Sequence, residues 1–255
     1  MTTQAKIAII AALDRELSSL VAGWPSVKVH HQGRDFTFHE SSYAVAICGG
    51  IGYEGARRAA EAAIIKYSPE LLISAGIAGA LVPELHVGET IFPTTVIDAE
   101  DGSRHQTAIR QSLLSNTALG RTILISHSEI ASVSQKLQLA KSYGAHAVDM
   151  EAAAVACAAQ KHNLQFLAFK AISDELNFAM PEMNRFISAG QFKTKTFAIY
   201  VAVRPWLWLK VFRLARNTRL ATDNLCAWLR ESALTNTIVS GINASARETP
   251  APPQT

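Results

Sequence analysis

The chain has 255 residues, of which 49% are hydrophobic, so it is long and apolar enough to bury the core of one large α/β domain. A formal charge of +3 is too small to indicate a nucleic-acid-binding surface. The three cysteines show neither a CxxC pair nor the spacing of metal ligands, which indicates core thiols in a reducing compartment and no metal site. The apolar run at the N-terminus is too short for an export signal, so we expect a cytoplasmic protein.

Strands and helices are predicted to alternate through the first 175 residues. The predicted strands cover 6–12, 43–48, 71–75, 90–98, 121–126 and 165–173, with a hairpin over 27–40 that turns near Gly33. The predicted helices cover 13–23, 53–67, 108–115, 132–143 and 152–162. This order is typical of an α/β fold in which helices cover both faces of a mostly parallel sheet.

Two glycine-rich segments follow predicted strands. Gly49-Gly50-Ile51-Gly52 precedes a helix, and Gly76-Ile77-Ala78-Gly79 is predicted to form a second turn. Glycines at a helix N-terminus leave backbone N–H groups free to bind an anion or a sugar hydroxyl. The first segment also fits the G-x-G-x-x-G pattern of dinucleotide-binding proteins, but it is not in the first βα unit, and Glu70 precedes the next strand instead of ending it. Tight turns without a ligand are the alternative for either segment alone.

Two acidic pairs lie where predicted strands end. Asp149 and Glu151 stand between a short strand and a helix, and Asp174 and Glu175 end the strand over 165–173. Because the carboxyl ends of parallel strands meet at one edge of a sheet, both pairs are expected to share a site. Taken singly, Glu151 as a helix-start charge and Asp174 as an N-cap would be ordinary structural roles.

The C-terminal region is predicted to be helical over 181–229, with a break at Arg204-Pro205. Basic residues recur at every third position after two tryptophans, namely Lys210, Arg213, Arg216 and Arg219 after Trp206 and Trp208. Such a helix can lie on an anionic membrane, although a solvated basic face over a packed apolar one is the more common arrangement. The composition of 231–255 predicts a disordered tail, so one domain is expected over 1–230, with a basic amphipathic helix at 206–230.

Six motifs together resemble the purine nucleoside phosphorylase and nucleosidase superfamily. They are KIAIIAALDRE at 6–16, CGGIG at 48–52, SAGIAG at 74–79, VGE at 87–89, VDMEAAAVA at 148–156 and AISDE at 171–175. The similarity extends over about residues 5–200 and is greatest to the 5′-methylthioadenosine/S-adenosylhomocysteine nucleosidases. The resemblance implies a three-layer α/β/α sandwich around a central mixed, mostly parallel sheet, a homodimer or larger homo-oligomer, and N-glycosidic bond cleavage with neither metal nor organic cofactor.

The resemblance also implies roles for individual residues. Glu16 would be the base that activates water, Met150 and Glu151 would hold the ribose, and Asp174 would protonate N7 of the purine. Burial would have to keep Asp174 protonated near neutral pH. Further substrate-binding positions implied by the motifs are Gly50, Gly52, Gly76, Ile77, Ile130 and Ser173.

Several departures from the family pattern affect these expectations. Ile77 stands where the nucleosidases usually have a serine, Ile130 lies in a segment that usually supplies an aromatic side chain, and Asp149 replaces a glutamate. A phosphate-binding set of arginines is not evident in the sequence, although three residues are candidates: Arg15, Arg34 and Arg57.

The expected function is therefore a nucleosidase that acts on an adenine nucleoside with a thioether or hydrophobic 5′ substituent. The alternative is a phosphate-dependent phosphorylase, including a hopanoid-associated enzyme that acts on a lipid-linked adenosine, with peripheral contact of the 206–219 helix with the inner membrane. A non-catalytic nucleoside-binding relative is less favoured, because a binder needs no acid and base pair. A dehydrogenase is the least favoured alternative.

Overall fold

The computed structural model describes residues 7–109 and 121–234. One mixed sheet runs through these residues, and its strands are β1 Ile7–Ala11, β2 Ser26–His31, β3 Arg34–Glu40, β4 Ala44–Cys48, β5 Leu71–Ala80, β6 Thr90–Ile91, β7 Pro93–Asp98, β8 Arg104–Gln106, β9 Thr122–Ser126, β10 Ala147–Asp149 and β11 Gln165–Asp174. A separate hairpin consists of β12 Ile187–Ser188 and β13 Gln191–Phe192. The α-helices are α1 Asp14–Leu17, α2 Tyr53–Tyr67, α3 Val133–Tyr143, α4 Ala152–Lys161, α5 Thr194–Ala202 and α6 Pro205–Leu234, and a 3₁₀ turn covers Asn184–Phe186.

The sheet has the order β2-β3-β4-β1-β5-β10-β9-β7-β8, and β11 pairs with β5 and β6. The pairs β1–β4, β1–β5, β5–β11, β9–β10 and β7–β9 are parallel. The pairs β2–β3, β3–β4, β5–β10, β6–β11 and β7–β8 are antiparallel. The sheet is therefore mixed, as the family resemblance implied.

Helices cover both faces of the sheet. Buried alanines of α2 and α4, such as Ala59 and Ala154, share one hydrophobic cluster with β1, β4 and β5. On the other face, Leu225 and Leu229 of α6 pack with Phe169 of β11. Small side chains let a helix approach a sheet closely, which explains the alanine-rich sequences of α2 and α4. The layers confirm the predicted three-layer α/β/α sandwich.

Several predicted elements are present with small shifts. The β2–β3 hairpin turns at Gln32 and Gly33, which have φ of 47° and 75°, as a two-residue hairpin turn requires. Helices α2 and α3 match their predicted ranges to within a residue. The predicted helix over 13–23 is shorter, because α1 is a single turn. The predicted helix over 108–115 lies mostly outside the described residues.

Two predictions about the chain path are wrong. The segment Gly76–Gly79 is not a turn, because β5 continues through it and pairs with β11 as far as Asp174. The predicted helix over 181–229 begins only at α5, since the preceding residues form the 3₁₀ turn and the β12–β13 hairpin. The break before Pro205 is present, and α6 continues to Leu234. Most of the predicted tail lies outside the described residues, so the division at residue 230 stays a prediction.

The cysteines differ in their exposure. Cys226 is buried and Cys48 is partly buried, but Cys157 is exposed, so the prediction of a core thiol is wrong for Cys157. Among residues 7–109 and 121–234, no helix is long and apolar enough to cross a membrane.

Candidate active site

A cavity of about 720 Å³ opens beside the ends of β1, β10 and β11. Its lining includes the carboxylates of Glu16, Asp149, Glu151 and Asp174. The predicted convergence is therefore present for Asp149, Glu151 and Asp174, but Glu175 lines a different cavity. For β10 the geometric reason also differs from the one predicted. That strand runs antiparallel to β5, and Val148 pairs with Gly79. Asp149 reaches the site because β5 continues past its pairing with β1, which ends at Ser74, to Gly79 and Ala80, where it pairs with β10.

Glu16 lies in the single turn α1, immediately after β1. Its Oε2 accepts hydrogen bonds from the backbone N–H groups of Ala12 at 3.0 Å and Leu13 at 3.1 Å. The side chain is buried, and burial raises the pKa of Glu16, although these hydrogen bonds and the nearby Lys170 charge partly offset the rise. A thiol hydrogen bond from Cys226 to the Glu16 carbonyl, at 3.1 Å, ties the turn to α6. The carboxylate is thereby held in place with increased basicity, as a general base requires.

Glu151 stands just before α4 and faces the same cavity. Its Oε1 accepts a hydrogen bond from the Gly52 N–H at 2.8 Å, and its Oε2 accepts one from the Met150 N–H at 3.3 Å. Burial and the charge of Asp149 raise the pKa of Glu151 to about 7, against the opposing effects of Lys170 and the Gly52 N–H. Near neutral pH this side chain therefore exchanges a proton readily.

Lys170 is the cation of this acidic group. Its Nζ lies 2.8 Å from Asp149 Oδ2 and donates a hydrogen bond to Ser74 Oγ at 3.0 Å. Burial alone would lower the pKa of Lys170, but the charges of Asp149 and Glu151 outweigh burial and raise it. Asp149 also accepts a hydrogen bond from Ser126 Oγ at 2.6 Å. The cluster is thus held together by side chains from four strands, β5, β9, β10 and β11.

Asp174 ends β11 and also lines the cavity. Its Oδ1 accepts a hydrogen bond from Ser173 Oγ at 2.7 Å, and its Oδ2 lies 2.5 Å from Lys136 Nζ. Both Asp174 and Lys136 are buried, so the two side chains form a buried ion pair.

Seven of the predicted site residues line the cavity: Glu16, Ile77, Ile130, Met150, Glu151, Ser173 and Asp174. Gly50, Gly52 and Gly76 do not line it. The N–H groups of Gly49 and Gly50 donate to the carbonyls of Ala11 and Ala12, each at 2.9 Å, and Gly52 donates to Glu151. These N–H groups are therefore already occupied, and the expectation that they are free to bind an anion is wrong.

Gly79 is a site residue that the sequence reasoning took only as part of a turn. A Cβ at this position would lie 2.9 Å from Asp174 Oδ2 and 3.3 Å from Lys136 Cε. Real Cβ atoms essentially never lie so close to a neighbouring oxygen. The glycine therefore makes room for the Lys136–Asp174 pair.

The apolar wall of the cavity comes mainly from the segment that was predicted to be helical over 181–229 with a break at Arg204-Pro205. Its apolar lining residues are Met180, Met183, Ile187, Phe192, Phe197, Val211, Leu214 and Ala215. They lie on or beside the 3₁₀ turn, the β12–β13 hairpin, α5 and α6. The available signal was the recurrence of Met and Phe between 180 and 197, which the prediction of a helix did not use.

The three candidate phosphate-binding arginines are not brought together. Arg15 lines the cavity, while Arg34 lies over the Phe36 ring, with its guanidinium carbon 5.3 Å from the ring centre. Arg57 is paired with Glu54 at 2.8 Å and Glu61 at 2.7 Å on α2. Within the described ranges, no group of three or more His, Cys, Asp or Glu side chains is placed to hold a metal ion.

Comparisons with known proteins agree with this fold. The sequence profile of the phosphorylase superfamily matches residues 6–123 and 121–197. The chain therefore belongs to the phosphorylase superfamily. Its structure is an α/β/α sandwich with an acidic cavity beside the sheet.

Individual relatives carry more specific names. A 5′-methylthioadenosine/S-adenosylhomocysteine nucleosidase of Maridesulfovibrio salexigens is 26% identical over 207 residues, which are 68% of this chain and 87% of that protein. A Helicobacter pylori nucleosidase of the same name superposes with a TM-score of 0.69 at 16% identity, covering 92% of this chain and 100% of the other. The futalosine hydrolase of H. pylori gives the same TM-score, identity and coverage. Together with the profile match, these relatives confirm the predicted superfamily and the predicted class of enzyme, a nucleosidase or nucleoside phosphorylase.

Proposed function

We propose that the protein is a nucleosidase that hydrolyses the N-glycosidic bond of an adenine nucleoside carrying a thioether or hydrophobic 5′ substituent. The observation that carries this proposal is the convergence of Glu16, Glu151 and Asp174 in one cavity. A non-catalytic binder would have no need for a buried carboxylate of raised pKa opposite a second acid.

The proposed reaction uses the two ends of the acidic group. Glu16 takes a proton from water, and the water oxygen forms a bond to C1′ of the ribose. The bond from C1′ to N9 breaks, and its electron pair goes to the purine, which receives a proton at N7 through Asp174. Glu151 and Met150 hold the ribose, because a carboxylate can accept hydrogen bonds from its hydroxyl groups while positive charge develops on the sugar.

The charges of the cavity favour water over phosphate as the nucleophile. Around Glu16, the carboxylates of Asp149 and Glu151 share the buried ammonium of Lys170, while the buried ammonium of Lys136 is paired with Asp174. A phosphate dianion would meet this excess of negative charge at short range. The occupied N–H groups before α2 offer it no alternative site. Phosphorolysis remains the alternative because Arg15 lies at the edge of the cavity.

The apolar wall favours a hydrophobic 5′ substituent. Side chains such as Met183, Phe192 and Leu214 offer a surface that a thioether or a longer apolar group can cover. The H. pylori nucleosidase was solved with a ligand that carries a prop-2-yn-1-ylthio group. The lipid-linked adenosine of the alternative function would carry the longest of these apolar 5′ substituents. The name of the other H. pylori neighbour, futalosine hydrolase, adds futalosine to the substrates worth testing.

The test is turnover by the purified protein of methylthioadenosine, S-adenosylhomocysteine, adenosine and inosine, with and without phosphate. We expect release of free adenine from the two thioether substrates at the same rate in either buffer. Release that requires phosphate, with formation of ribose 1-phosphate derivatives, would make the protein a phosphorylase. Binding of all four nucleosides without release of base would contradict an enzymatic function.

A second proposal concerns the surface formed by α5 and the start of α6, which we propose contacts an anionic membrane. Apolar side chains exposed there are Ile199, Val203, Trp206, Trp208, Leu209 and Phe212. Leu209 is 84% exposed. Arg213 and Arg216 are exposed beside them, so interfacial tryptophans and cations occur on one surface, as in helices that lie on anionic lipid. The expected cytoplasmic location and homo-oligomer stay predictions.

We expect the wild-type protein to co-sediment with phosphatidylglycerol vesicles and not with phosphatidylcholine vesicles. The variant Lys210→Glu/Arg213→Glu/Arg216→Glu should lose this binding, while Ile65→Ser, a change of an exposed apolar residue on α2, should keep it. Light scattering measures the mass of the particle in solution and can give the result that would contradict membrane contact. If Leu209→Ser converts an oligomer to a monomer without any effect on vesicle binding, the surface is an interface between copies of the chain.

A further inference from the structure

Lys136 is one of two buried lysines among the described residues, the other being Lys170. It stands in the first turn of α3, which Ser132 caps with a hydrogen bond from the Gln135 N–H at 3.3 Å to its Oγ. A lysine in the first turn of a helix is placed unfavourably for the helix dipole. Interactions within the helix therefore do not explain why a lysine stands at position 136.

The reason lies in the contacts of the ammonium group. Lys136 Nζ donates hydrogen bonds to Asp174 Oδ2 at 2.5 Å and to the Glu175 carbonyl oxygen at 2.8 Å. Its side chain also lines the cavity, and Gly79 leaves space for it beside Asp174. Lys136 thus connects to the substrate cavity through the one carboxylate that is proposed to protonate the base.

We propose that Lys136 is a positioning residue that acts through Asp174 and supplies the proton that the departing purine receives. This inference rests on the proposed function. As the bond from C1′ to N9 breaks, a proton passes from Lys136 Nζ to Asp174 Oδ2, and Asp174 gives a proton to N7. Lys136 is left as a neutral amine, and Glu16 holds the proton taken from water. After the products leave, Lys136 regains a proton from solvent and Glu16 releases one, so the net reaction adds one water across the glycosidic bond.

Two substitutions at Lys136 separate the effect of its positive charge from the effect of its ability to release a proton. Lys136→Met removes both, and Lys136→Arg keeps the charge but not the ability to release a proton, because a guanidinium remains protonated in proteins. We expect both variants to lose kcat by roughly 100-fold or more, with KM changed by less than about threefold, since general acid catalysis contributes at this scale. Lys141→Met, which changes an exposed lysine of the same helix, is the matched control and should behave as wild type.

Chemical rescue separates proton supply from a structural role and also covers the case in which Lys136→Met folds poorly. The variant Lys136→Ala should regain kcat when ethylammonium is added, with saturation, because the small cation can enter the cavity. Guanidinium and tetramethylammonium, which carry the same charge but release no proton near neutral pH, should not restore it.

The outcomes distinguish this inference from the proposed function. An active wild type together with an equally active Lys136→Met or Lys136→Arg would overturn the inference alone. Equal rescue by tetramethylammonium would also overturn it, because charge would then be sufficient. A wild type that releases no base from any nucleoside would remove the proposed function and this inference together.

Discussion

The variant Glu16→Gln is expected to lose kcat by roughly 10²- to 10⁴-fold, the range that a general base contributes. The amide keeps the size of the side chain, and its oxygen can still accept a hydrogen bond from Ala12 or Leu13. It cannot take a proton from water. Binding of the nucleoside should therefore change little, while the chemical step slows.

The measurement is kcat and KM in phosphate-free buffer, with a denaturation curve for each protein. Asp14→Asn is the matched control, since Asp14 is an exposed acid in the same turn and does not line the cavity. We expect the control to retain its activity. A Glu16→Gln variant with more than about a tenth of the wild-type kcat would show that another group activates the water.

The variant Lys170→Met is expected to destabilise the protein by about 3–5 kcal/mol, because it leaves buried carboxylates without their cation. Asp149 would lose the ammonium at 2.8 Å, and Ser74 would lose its hydrogen-bond donor. Glu16 and Glu151 would lose the same positive charge, since Lys170 acts on the pKa of both. The loss is large compared with the whole stability of an ordinary domain.

Urea denaturation at neutral pH measures this effect. Lys161→Met, which changes an exposed lysine at the end of α4, is the control and should unfold within about 0.5 kcal/mol of wild type. The double variant Asp149→Asn/Lys170→Met should be more stable than Lys170→Met, because it removes the carboxylate that has lost its partner. A single variant that loses less than about 1 kcal/mol would show that the carboxylates are protonated or hydrated instead.

The acidic residues of the site could be predicted from the sequence because they end strands. Asp149, Glu151 and Asp174 each follow an apolar run, as does the acidic cluster that contains Glu16, and the resemblance added the role of Glu16 as the general base. The cations could not be predicted in the same way. Lys136 is buried, but it belongs to a helix whose other polar residues are mostly exposed, and Lys170 lies inside an apolar strand. Their importance depends on pairing between distant elements, which no local periodicity records.

The path of the chain was least predictable where local propensity and tertiary pairing differ. Glycines at 76 and 79 suggested a turn, yet backbone pairing on both sides keeps β5 extended. Between 180 and 193 the sequence lacks strong glycine signals apart from Gly190, whose φ of 74° forms part of the turn of the β12–β13 hairpin. The apolar wall that this segment adds to the cavity was therefore missed.

The buried acids near Lys170 have a consequence for the folded state as a whole. The pKa of Glu151 rises from 4.5 to about 7 on folding, chiefly through burial, and that of Glu16 rises as well. The folded chain thus holds protons that the unfolded chain would release. Their contribution to stability is fully present below pH 4.5 and is lost as the pH rises towards about 7. The proposed roles of both residues need the ionised form, so these two side chains gain their working charge over the same pH range in which their contribution to stability is lost.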